Sequence, residues 1–73
     1  MLTKPFEDTL VDMHDGEYSL PSIQVAVDRH MAMTGHLDVP AERQRIAAAF
    51  KAKRPDTAFS AEIVEIILGQ KTA

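Results

Sequence analysis

The run Phe6-Glu7-Asp8-Thr9-Leu10-Val11-Asp12-Met13-His14-Asp15-Gly16-Glu17-Tyr18-Ser19-Leu20 decides the fold, because it reads in two ways. Asp15-Gly16 is a two-residue hairpin signal. Pairing across it sets Met13 opposite Tyr18 and Val11 opposite Leu20 on an apolar face. His14 then faces Glu17, and Asp12 faces Ser19, on a polar one. The same residues also suit a helix. Phe6, Leu10 and Met13 recur at i, i+4 and i+7, Glu7 and Asp8 fall in the first turn, and Gly16 stands where a helix would be capped. A lone hairpin is marginal in water, so the helix is the preferred form. The chain as a whole then reads as mainly α: a small compact bundle of three to four short helices, with the N-terminal segment either a helix or a β-hairpin.

Working outward, Pro21 is expected to open the next helix at its first position. Ile23, Val27, His30, Met31 and Thr34 share its inner face, and Gly35 ends it. Asp38 is the expected N-cap of a third helix, with Ile46, Ala47 and Phe50 as its apolar stripe and Pro55 as its stop. The fourth carries a strong start signal, with Ser60 as N-cap and Phe59 and Val64 placed for a hydrophobic staple. Ile63, Val64, Ile66, Ile67 and Leu68 cover most of its circumference, and Gly69 ends it. A helix that apolar must be buried. The organisation is an acidic and apolar segment over 1–20, a helical core over 21–70 and a tail over 71–73.

Size limits the function. A chain of 73 residues buries only about 60% of the surface its unfolded form exposes. Its core supplies roughly 3–5 kcal/mol, too little to hold a deep, rigid catalytic pocket. Cysteine is absent, which removes disulfides and thiolate zinc sites and fits a reducing cytoplasm. No apolar run is long enough for a membrane span, and the first residues lack a signal core. The expectation is a cytoplasmic protein of a bacterial or phage-infected cell, not an enzyme, with no cofactor and no membrane association.

No catalytic or metal motif intervenes. His14, His30 and His36 do not combine with Asp12, Asp15, Asp28 or Asp38 in a metal-ligand spacing. Ser19, Ser22 and Ser60 sit in no nucleophile motif, and three scattered glycines make no phosphate loop. Charge is more informative. Residues 1–20 hold Glu7, Asp8, Asp12, Asp15 and Glu17 against Lys4. Residues 41–55 hold Arg43, Arg45, Lys51, Lys53 and Arg54 against Glu42. Such blocks either neutralise each other inside the fold or steer partners.

The basic stretch is a candidate for proximity to nucleic acid through phosphates, without base readout. On a helical wheel its charges scatter instead of forming one face. Ile46–Phe50, the break at Pro55 and Ser60–Gly69 resemble a helix-turn-helix. Ala61–Leu68, however, contain no Arg, Lys, Asn or Gln with which to read bases. That leaves a DNA-binding regulator as the alternative, and an antitoxin or structural interaction protein as a further one. Protein binding is the expected activity. Phe6, Glu7, Leu10, Val11, Met13 and Tyr18 are its candidate residues, and the four methionines are adaptable apolar groups. Phe6→Ala with Leu10→Ala is expected to abolish partner binding and leave the fold intact.

Leu10-Val11-Asp12-Met13-His14-Asp15-Gly16-Glu17 looks like the helix–Asp-Gly-Glu turn of some anti-sigma factor domains, although the cysteine-bearing zinc motif of many of them is missing. In length and character the whole chain is similar to the small transcription regulators of lytic bacteriophages. That resemblance implies binding to a bacterial RNA polymerase subunit, with inhibition of promoter use and antitermination.

Overall fold

Four helices follow in the order α1 (Phe6–Asp15), α2 (Leu20–Thr34), α3 (Val39–Lys53) and α4 (Ala58–Ile67) in the computed structural model, which describes residues 4–34, 39–55 and 57–71. No strand occurs among the described residues, so the 6–20 run is a helix followed by a turn. The expected caps at Gly35 and Asp38 lie outside the described residues.

Each helix sends one stripe inward. Leu10 comes from α1, Ile23, Val27 and Met31 from α2, Ile46, Ala47 and Phe50 from α3, and Ile63, Ile66 and Ile67 from α4. All ten are buried, and Phe50 is the largest of those that are fully so. Burying a large apolar side chain contributes about 1.5–3 kcal/mol, and this shared cluster is what holds the helices together. α1 lies mainly on α3, while α4 packs on both α2 and α3. Leu10 thus ties the N-terminal segment into the same core as the rest. The radius of gyration, 11.4 Å, equals that of a close-packed chain of this length, about 11 Å. No described helix is long and apolar enough to cross a membrane.

Gly16 stands at the C-cap of α1 as expected, and the helix ends differ from expectation in three details. At the first turn, Gly16 keeps an ordinary φ of −83° and Glu17 takes the left-handed conformation at φ 56°. The bonds Glu17 N–H to His14 O (3.1 Å) and Tyr18 N–H to Met13 O (3.0 Å) close a Schellman pair around Glu17. Gly16 has a different reason to be glycine: a Cβ there would stand 2.9 Å from Cε1 of the Tyr18 ring. The second helix starts one residue earlier than expected, at Leu20. The hydroxyl of Ser19 accepts from Ser22 N–H at 3.3 Å, and Pro21 is the second helical residue.

The third difference is at α4. Its N-cap is Thr57, whose Oγ1 accepts from Ser60 N–H at 2.9 Å. Ser60 lies inside the helix, 1% exposed, and its hydroxyl accepts from Thr57. Threonine and serine are both good caps, and only the start of the helix decides between them. Gly69 ends α4 as expected, at φ 77°, with Gly69 N–H to Ile66 O and Gln70 N–H to Glu65 O.

Candidate functional site

The acidic and basic blocks meet along the α1–α3 contact. Asp8 is paired with Lys53, and Asp15 takes two bonds from Arg54, the Nε one at 2.8 Å. Glu7 accepts from Arg45 Nη1 at 3.2 Å, while Arg45 also grips Glu42 on its own helix through Nε and Nη2, both at 3.0 Å. Asp12 is paired with Lys4. The charge asymmetry is thus largely spent inside the fold. Arg45 and His30, bonded to Glu42, hold its carboxyl down at about 2. Arg54, with His14, holds Asp15 well below the usual carboxylate range.

This seam places the residues expected near nucleic acid. Arg45, Lys53 and Arg54 are engaged with α1 carboxylates. Arg43 Nη1 donates to Ile67 O at 3.0 Å and so caps the C-terminus of α4. Lys51 is exposed and lines a shallow hollow with Arg54, Pro55 and Glu65. The five cations form no common face. In a helix-turn-helix reading α4 would be the recognition helix, and its residues described as exposed are Ala58, Ala61 and Glu65.

The residues expected to bind protein divide three ways. Leu10 is fully buried, so its truncation opens a core cavity and costs the fold. The Phe6/Leu10 double substitution is therefore no test of a surface. Val11 and Met13 pack against the core at its edge, and Glu7 serves Arg45. Phe6 is likewise partly buried against the core, and Tyr18 alone of the six is an exposed large apolar side chain. Tyr18, 52% exposed, lines a shallow hollow with Leu20 and Phe59.

Phe6 leads to the main apolar surface, which lies on α2. Ser22, Val25, Ala26, Arg29 and Met33 fall on the side of α2 turned from the core, and with Phe6 and His30 they line an open groove of about 300 Å³. Val25 is 59% exposed and Met33 77%. The Phe6 ring stacks on His30 with centroids 4.1 Å apart and planes 2° from parallel. His30 Nε2 in turn donates to Glu42 at 3.0 Å. One wall of the groove is therefore held by α1, α2 and α3 together. The sequence signal for this face was present in Val25 and Met33, which stand apart from the inner stripe Ile23, Val27 and Met31.

A second histidine, His14, joins α1 to α4. It stacks on Phe59 at 5.3 Å, meets the edge of Phe50, and lies 3.3 Å from the capping hydroxyl of Thr57. Among the described residues no group of three His, Asp or Glu is placed to hold a metal ion. No family model, no characterised protein and no solved structure matches this chain.

Proposed function

We propose that the protein is a small, non-catalytic protein-binding regulator that docks through the α2 groove, with bacterial RNA polymerase as its target and inhibition or antitermination as its effect. The observation that carries the binding part is the exposure of Val25 and Met33 beside a braced Phe6. A domain this small needs nearly every apolar residue for its core, so large apolar side chains left outside are free to serve a partner. The internal pairing of Arg45, Lys53 and Arg54 favours a protein partner over a phosphate backbone. The polymerase as target rests on the chain's resemblance to small phage transcription regulators. The place of action on this reading is the bacterial cytoplasm.

The test is affinity capture from nuclease-treated bacterial lysate, read by mass spectrometry, with the native chain and a Val25→Glu, Met33→Glu variant. Both positions are exposed, so the variant should fold normally. Polymerase subunits recovered by the native chain and lost by the variant support the proposal. Recovery that depends on DNA surviving in the lysate would replace it with the DNA-binding alternative.

A further inference from the structure

The α2 groove, taken as the protein-binding surface, also specifies what fits in it. On a helical wheel Ser22, Arg29 and Met33 lie within about 40° of one another, with Val25 and Ala26 on either flank. Arg29 therefore stands in the middle of the apolar face. Arg43, Arg45 and Arg54 are each engaged by a carbonyl or a carboxylate. Arg29 is exposed and makes no hydrogen bond or ion pair with a described residue. A guanidinium flanked by apolar groups is a receptor for one carboxylate, which it binds through two parallel N–H bonds.

The position of Arg29 argues against a second copy of the chain. An antiparallel α2–α2 pair that sets Val25 of one copy against Met33 of the other puts residue 29 on the two-fold axis. Arg29 would then face its own counterpart, between chains that each carry a net charge of −3. The same net charge, with Asp28 next to Arg29 in the helix, disfavours a strongly acidic partner. From Ser22 to Met33 the face runs about 16 Å, or three helical turns, the length that a docked helix covers with its i, i+4, i+7 and i+11 positions. The Phe6–His30–Glu42 chain keeps the wall in place before binding, which lowers the cost of ordering it.

We infer that the groove receives an amphipathic helix of a partner protein that presents apolar side chains on both sides of a single carboxylate, and that Arg29 binds this carboxylate. This rests on the groove being the docking surface, and it does not depend on which protein supplies the helix. The probes are two synthetic helical peptides of about four turns with a Leu/Met stripe, one bearing Glu at the stripe's centre and the other Lys. Each is titrated into the full chain and followed by amide and methyl NMR shifts. The Glu peptide should saturate, shift Val25, Arg29 and Met33, and bind about tenfold tighter than the Lys peptide. Arg29→Glu should reverse that order, and Met33→Ala should weaken both peptides. Equal affinities, an order unchanged by Arg29→Glu, or shifts centred away from α2 would overturn the inference. A retained Glu preference with no polymerase captured from lysate would overturn the polymerase reading alone.

Discussion

Backbone conformation at two turn residues makes sharp, separable demands on the sequence. Gly69 sits at φ 77° with the Arg43 guanidinium 3.3 Å from where its Cβ would be. A left-handed non-glycine residue costs about 1–2 kcal/mol, and the crowding would also disturb the Arg43 bond to Ile67 O. Gly69→Ala should therefore lower stability by at least about 1 kcal/mol in urea denaturation. Glu17 holds the equivalent place after α1 without being glycine, at φ 56°. Glu17→Gly should raise stability, by up to about 1 kcal/mol, because it removes that strain on an exposed side chain. An unchanged or lower denaturation midpoint would show that Glu17 is not strained. Gly16 alongside it was legible in the sequence as a turn residue. Its actual reason, room for the Tyr18 ring, depends on a neighbour's rotamer and could not be read from spacing.

The helices show which sequence signals survive folding. Periodicity identified the inner faces of α2, α3 and α4, because burying Ile23, Val27, Ile46, Phe50, Ile63 and Ile67 together outweighs every local preference along the chain. Cap identities were less legible, since Thr57 and Ser60 are chemically equivalent candidates three residues apart and packing chooses between them. The α1–α3 seam was visible only as two blocks of charge. Its register, Glu7 with Arg45, Asp8 with Lys53 and Asp15 with Arg54, needs the helix crossing. The seam predicts an acid limb. Glu42 titrates at about 2 against an ordinary 4.5, and Asp15 lies below its ordinary 3.8. Carboxyls depressed in the folded state stabilise it fully above their unfolded values and cease to do so as pH falls through the folded ones. Stability should thus hold steady from neutral pH down to about 5 and then decline toward pH 2, as followed by circular dichroism at successive pH values. Arg54→Gln should flatten part of that decline.

At the scale of the whole molecule, four short helices spend most of their apolar residues and most of their opposite charges on one another. Among the described residues, Tyr18, Val25 and Met33 are the large apolar side chains left exposed, and the latter two stand with Arg29 on the outer face of α2. The sequence reading expects protein binding through the N-terminal segment, because acidic and apolar residues mixed there resemble a docking strip. In the fold α1 packs against the core, with Phe6 at the α2 groove and Tyr18 exposed beyond the helix end. The fold and the proposed partner surface are therefore separable by mutation: Leu10 is buried in the core, and Met33 stands exposed on the proposed surface. The most direct measurement is the binding of purified, nucleic-acid-free bacterial RNA polymerase to the immobilised native chain and to its Met33→Glu variant, over a range of salt. Docking through α2 predicts saturable binding by the native chain with shallow salt dependence, and at least about a tenfold loss in a variant whose circular dichroism is unchanged. No binding to the polymerase, or equal binding by the two chains, would contradict it.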